Sequence, residues 1–161
     1  MKRGVGEIFI GFCYGWLPVT VSYYLQTGEL NSLVNWVSIP IGLTIFNVIL
    51  LNEFPDYRAD RISGKRNLIV KIGREKGSIL YIIIAINIWK MFAVSIIIGL
   101  PVISCLFFIP FFIISIILVI LTSLKKYLIP KTLEIMCGLN ILVNLGVTLS
   151  YLLGILFKGV Y

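Results

Sequence analysis

Histidine is absent from the 161 residues, and acids are few, seven against fourteen lysines and arginines. The first absence excludes histidine-ligated zinc, Ser-His-Asp triads and Cys-His dyads together. Three cysteines, Cys13, Cys105 and Cys137, fall in three separate apolar stretches without metal-ligand spacing, so they read as apolar packing residues. Charged residues make up only 13% of the chain and hydrophobic ones 59%, with a mean hydropathy of +1.02. That balance excludes an ordinary water-soluble core. Internal repeats, low-complexity stretches and soluble linkers are also lacking, which leaves one membrane domain or part of one.

What is present is a series of apolar runs long enough to cross about 30 Å of hydrocarbon, which takes roughly 20 residues as a helix. Five are expected, at about 8–25, 34–51, 78–100, 102–121 and 133–157. The fold class is thus all-α, a polytopic transmembrane helical bundle. The start Met1-Lys2-Arg3-Gly4 imitates a secretory signal, but the run after it is long and has no small-residue cleavage site, so it reads as a retained span. Alternating five spans gathers 12 of the 14 Lys and Arg residues on one side: the amino terminus, the segment 52–76, and Lys125, Lys126 and Lys131. By the positive-inside rule that side is the cytoplasm of a multi-pass cell-membrane protein. The net charge of +7 is then mostly an orientation signal directed at the lipid bilayer, and not a footprint for nucleic acid.

The segment from Asn52 to Arg74 holds three of the seven acids. Asn52, Asp56 and Asp60 recur every four residues, a spacing that stacks them on one helical face with Cβ atoms about 5–6 Å apart. Two carboxylates at that separation repel by roughly 3 kcal/mol at an effective dielectric near 20, so a cation is expected between them. No Lys or Arg lies three or four residues from either aspartate, so the chain's own cations look badly placed to serve. Arg58, Arg61 and Lys65 form a separate column. Carboxylates with an Asn carbonyl suit Mg²⁺, which keeps waters and shares its shell with substrate phosphate oxygens. The basic column and the turn Gly64-Lys65-Arg66 suit the oxygens of a diphosphate. A plainer reading, a solvated loop whose acids and bases offset one another, stays open on spacing alone. Pro55 disfavours α geometry at Phe54 and suits the first position of a new helix, which would separate Asn52 from the two aspartates.

The stretch NEFPDYRADRISGKRNLIVKIG, Asn52 to Gly73, resembles the second aspartate-rich motif of the UbiA family of intramembrane aromatic prenyltransferases. Its wording is nearest the menaquinone branch, the 1,4-dihydroxy-2-naphthoate polyprenyltransferases. Tyr23-Tyr24-Leu25-Gln26-Thr27-Gly28 resembles that branch too, so the likeness runs from the first span through the charged segment. The resemblance implies part of a nine-helix bundle in which two aspartate-rich loops face each other across a cytoplasmic cavity. Each would bind Mg²⁺, and together the ions would hold the diphosphate of a polyprenyl donor whose allylic cation alkylates an aromatic acceptor such as 1,4-dihydroxy-2-naphthoate. It further implies that Asn52, Asp56 and Asp60 are metal ligands, Asp56 and Asp60 being catalytic, and that Lys65 and Arg66, with Arg58 from the basic column, bind the diphosphate. Asn67 stands where the family commonly has Thr, and Ile69 where it has Pro or a small residue; neither is expected to touch the metal ligands.

The first NxxxDxxxD motif of the family is not found in this chain. The chain therefore reads as the carboxy-terminal half of such an enzyme, inactive alone and in need of a complementary amino-terminal half. The rival reading is a non-catalytic membrane remnant or a partner subunit of a split prenyltransferase. A CDP-alcohol phosphatidyltransferase also joins membrane helices to aspartates and a metal, but its DGxxAR arrangement is not supplied by Asp60-Arg61-Ile62-Ser63-Gly64.

Within the spans, Lys90 is a functional candidate by its depth, with snorkelling as the favoured reading. Asn140 and Asn144 share a face and are expected to bond between helices. Asn47 is left unassigned. Tyr14, Trp16, Tyr23, Tyr24, Trp36 and Trp89 are expected in interfacial belts, with the wall of an isoprenyl site as the alternative.

Overall fold

The structure is a computed structural model that describes residues 6–159. Lys2 and Arg3, part of the orientation expectation, lie outside the described residues. Five helices are long and apolar enough to cross a membrane, and no strand occurs among the described residues. They are α1 (Gly6–Thr27), α2 (Ser32–Ile62), α3 (Leu68–Ile98), α4 (Ile103–Ser123) and α5 (Pro130–Leu156). Asn31 caps α2 by accepting from the Leu33 N–H at 2.8 Å, and Asn67 caps α3 by accepting from the Val70 N–H at 2.8 Å.

Two helices differ in extent from the apolar runs. The 31 residues of α2, at about 1.5 Å per residue, reach about 46 Å, well beyond the hydrocarbon layer; α3 also counts 31 residues, but its backbone breaks from helical geometry at Gly73, φ 82° and ψ 155°. The segment 52–76, expected as a loop, is mostly helical: only Ser63 to Asn67 lie between α2 and α3. Hydropathy marks where a bilayer ends, whereas backbone hydrogen bonding carries the helix on into polar sequence. Nor does α2 break at Pro55. A proline there has no N–H for the Leu51 carbonyl four residues back. The Cys137 thiol of α5 approaches that carbonyl instead, Sγ to O 3.8 Å, so this cysteine does more than pack. Cys13 and Cys105 lie on the outer surface.

The helix α2 is central and packs on α1, α3 and α5, while α4 packs on α5 and α3. Its buried face carries Leu50, Leu51 and Phe54 against Ile69 and Tyr81 of α3 and Met136 of α5. Lipid tails are as apolar as these side chains, so close packing and interhelical hydrogen bonds hold the bundle together. Asn140 Nδ2 donates to the Asn47 carbonyl at 2.9 Å, Asn47 Nδ2 to the Tyr81 carbonyl at 3.2 Å, and the Tyr81 hydroxyl to Asn140 Oδ1 at 3.0 Å. Asn144 Nδ2 donates to Thr44 Oγ1 at 2.7 Å. The two asparagines of α5 thus tie α5 to α2 and α3.

Trp89 departs from the belt expectation: its indole N–H donates to Ser115 Oγ at 3.0 Å, and its ring meets Phe112 edge-on, joining α3 to α4. Lys90 is exposed on the outer face of α3. Between α1 and α2 the backbones nearly touch. A Cβ on Gly15 would fall 2.2 Å from Gly42 Cα, so that crossing requires glycine. This contact seats the start of α1 beside the charged end of α2.

Candidate functional site

At the end of the bundle where α1 begins, α2 ends and α3 begins, a recess of about 360 Å³ is lined by Gly6, Glu7, Ile10, Ile49, Asn52, Glu53, Asp56, Asp60, Lys65, Arg66 and Asn67. Four carboxyls thereby face two cations. Asn52, Asp56 and Asp60 reach it together because α2 stays helical through Pro55. Lys65 and Arg66 reach it because the chain reverses through Ser63 and Gly64, whose φ of 72° places it in the left-handed region that suits glycine.

The two aspartates differ in their surroundings. Asp56 is exposed, whereas Asp60 is buried. Lys65 Nζ lies 3.2 Å from Asp60 Oδ1 and 3.1 Å from Oδ2, and Asn67 Nδ2 donates to Oδ2 at 2.8 Å. The hydrogen bond and charge of Asp60 raise the Lys65 ammonium above its ordinary pKa. Two sequence expectations are corrected here. One of the chain's own cations does serve Asp60, because Lys65, five residues on, folds back once the helix has ended at Ile62. Asn67 does touch an expected metal ligand, because its amide nitrogen holds Asp60 while its oxygen caps α3.

Sequence reasoning missed three participants, Glu7, Glu53 and Asn67. Glu7 Oε1 accepts from the Leu68 N–H at 3.2 Å and Glu53 Oε2 from the Ile69 N–H at 3.1 Å. Both carboxyl groups therefore satisfy free N–H groups in the first turn of α3. Glu7 Oε2 is buried with no hydrogen-bond partner. The available signals were an acid at the edge of an apolar run and an Asn before a helix. Neither discloses a partner 61 residues away.

Arg58 is not brought to this recess. It lines a separate cavity of about 410 Å³ with Phe54, Pro55, Arg74, Tyr127, Leu128, Pro130, Leu133 and Glu134, on another flank of α2. A third hollow, an almost wholly apolar groove of about 490 Å³, lies among α1, α2 and α3, with Phe12, Trp16, Leu43, Phe46, Leu80 and Ile84 in its walls.

Residues 1–134 match the model of the UbiA prenyltransferase family. The chain is 32% identical over 74 residues to 1,4-dihydroxy-2-naphthoate octaprenyltransferase of Bacillus subtilis, covering 46% of this chain and 24% of that one. It is 33% identical over 81 residues to the Haemophilus influenzae protein of the same name, covering 50% and 26%. To UbiA prenyltransferase domain-containing protein 1 of Dictyostelium discoideum it is 36% identical over 70 residues, covering 44% and 21%. The chain thus spans about a quarter of the length of the curated relatives it matches. No solved structure matches it.

Proposed function

The chain belongs to the UbiA prenyltransferase family, and from that premise we propose that it serves the Mg²⁺-dependent transfer of a polyprenyl group from an isoprenyl diphosphate to an aromatic acceptor such as 1,4-dihydroxy-2-naphthoate, in quinone synthesis of the menaquinone type. The observation that carries this reading is the convergence of Asn52, Asp56, Asp60, Lys65 and Arg66 on one recess. In this reading the charged end of the bundle faces the cytoplasm, because nearly all its basic residues collect there.

The residues present fit Mg²⁺. Glu7 Oε2 is buried and unpartnered, and carboxyls outnumber cations in the lining. Among the described residues, no three acidic or thiol side chains are assembled to enclose an ion. Mg²⁺ binds through one or two carboxylates and takes the rest of its shell from water and phosphate. Asp56 and Asp60, with the Asn52 side-chain oxygen, would hold it. Bound to the diphosphate, the ion would stabilise the charge of the departing oxygen.

The remaining work belongs to the chain. Lys65, which rests on Asp60, would join Arg66 on the diphosphate oxygens, a charge-assisted contact. Asn67 stays on Asp60 and fixes its orientation, while Glu7 and Glu53 hold the first turn of α3. The apolar groove beside Trp16 suits an isoprenyl chain, which would be held there by close packing against its walls.

The chain spans about a quarter of its relatives' length, and the resemblance calls for the family's first aspartate-rich motif as well as the one at Asn52 to Asp60. The proposal therefore holds that turnover needs a complementary segment carrying NxxxDxxxD. The test is reconstitution in nanodiscs with Mg²⁺, donor and acceptor. The chain alone is expected to be inactive and the complemented pair active. In that pair Asp56→Ala and Asp60→Ala each abolish transfer without disturbing membrane insertion. Transfer retained by both variants removes the assignment.

One observation favours the rival reading of a non-catalytic partner subunit: Asp60 is already satisfied by Lys65 and Asn67. A complemented pair that binds no polyprenyl diphosphate in Mg²⁺ would decide for it.

A further inference from the structure

The cavity that takes Arg58 away from the carboxylate recess has a chemistry of its own. It lies between the ends of α2, α3 and α5 and holds about 410 Å³. Its floor is apolar and closed, with Phe54 and Tyr127 both buried and in edge-to-face contact at 5.2 Å between centroids. Two guanidinium groups, Arg58 and Arg74, stand in its walls. Neither forms an ion pair among the described residues. Arg74 is held over the Tyr57 ring, 5.1 Å from the centroid, a contact that orients the guanidinium and leaves its N–H groups able to donate. Glu134 is the one acid in the lining. The cavity thus carries one surplus positive charge.

The connector between α4 and α5 shows what surrounds the cavity. Between α4 and α5, Leu128 and Ile129 are 53% and 48% exposed, with the exposed Lys125, Lys126 and Lys131 on either side of them. Apolar side chains pointing outward and bracketed by lysines place this connector at the level of lipid headgroups, where anionic lipid attracts basic residues. The first turn of α5 adds the positive end of a 27-residue helix, and no side chain caps it.

We propose that the cavity between α2, α3 and α5 binds the phosphate of an anionic phospholipid headgroup between Arg58 and Arg74. A phosphodiester carries the single negative charge that the lining can neutralise. A free diphosphate carries more and would be opposed by Glu134. The apolar floor and the outward-facing Leu128 and Ile129 favour a lipid over a soluble phosphate. This site stands independently of the prenyltransferase reading, since it uses neither aspartate.

The test uses the delipidated full chain in nanodiscs of phosphatidylcholine with or without 20 mol% (approximately) phosphatidylglycerol, read by native mass spectrometry for retained lipid and by thermal melting. Retention of phosphatidylglycerol over phosphatidylcholine is expected. Each of Arg58→Gln and Arg74→Gln should lower that preference by about fivefold, the ordinary effect of one basic residue at such a surface. Melting in pure phosphatidylcholine reports whether these variants fold. Glu134→Gln, which removes the opposing charge, should raise the preference and tests the site from the other direction. Three results overturn the proposal. They are inorganic phosphate at millimolar concentration displacing the lipid signal, Lys126→Gln with Lys131→Gln abolishing a preference that the arginine variants leave intact, and Glu134→Gln changing nothing.

Discussion

Asp56 and Asp60 lie one helical turn apart, yet only Asp60 is already bound by a cation and an amide. Lys65 therefore competes with any divalent ion for Asp60 while being suited to greet a diphosphate. Lys65→Met should strengthen binding of Mg²⁺ alone and weaken Mg²⁺-dependent binding of an allylic diphosphate. Isothermal titration with each ligand measures both signs, and a loss in both would show that Lys65 only supports the fold. Asn67→Ala removes both the cap of α3 and the hold on Asp60. A lost cap costs about 1 kcal/mol, so a stability loss of at least that size is expected in thermal unfolding. At this scale the spacing of Asn52, Asp56 and Asp60 was legible, because a helix repeats every 3.6 residues wherever it occurs. The Lys65–Asp60 pair was not, because a separation of five residues brings side chains together only after the helix has stopped. Arg58 was assigned to the diphosphate from its column, yet Arg58 lines another cavity while Lys65 of the same column folds back into the recess.

The helices themselves were legible in number, and their ends were not. Apolar runs located five crossings, but α2 and α3 continue as helix into charged sequence, and Pro55 is accommodated by a thiol from another helix. The close crossing of α1 and α2 was also hidden, since glycines separated by 27 positions carry no local signal. It has a consequence for the site: Gly15→Val would place side-chain atoms where Gly42 stands. Overpacking of this kind costs about 1–3 kcal/mol. The expected result is a displaced α1 and loss of the Glu7 contact with the Leu68 N–H, seen as faster hydrogen exchange at the start of α3. Unchanged exchange there would mean that α1 does not brace the site. A comparable disturbance is expected of Gly73→Ala. Gly73 interrupts the helical geometry of α3 at φ 82° and ψ 155°, a conformation open essentially to glycine that costs a residue with a Cβ about 1–3 kcal/mol.

Across the molecule, charge is sorted to one end, and that end holds two cavities of opposite character. One has an excess of carboxyls and the other an excess of guanidinium. The chain belongs to the UbiA prenyltransferase family, and the opposite electrostatics of the two cavities are what the two proposals rest on, metal and diphosphate for one and a lipid headgroup for the other. The central claim, that Asp56 and Asp60 chelate a divalent ion gripping a diphosphate, can be measured without turnover. Mn²⁺ substitutes for Mg²⁺ at such oxygen sites and is visible by electron paramagnetic resonance. With geranyl diphosphate and the full chain in nanodiscs, bound Mn²⁺ should appear in the parent protein and in Arg58→Gln, and vanish in the Asp56→Ala/Asp60→Ala double variant. Equal Mn²⁺ binding by the double variant and the parent would contradict the account.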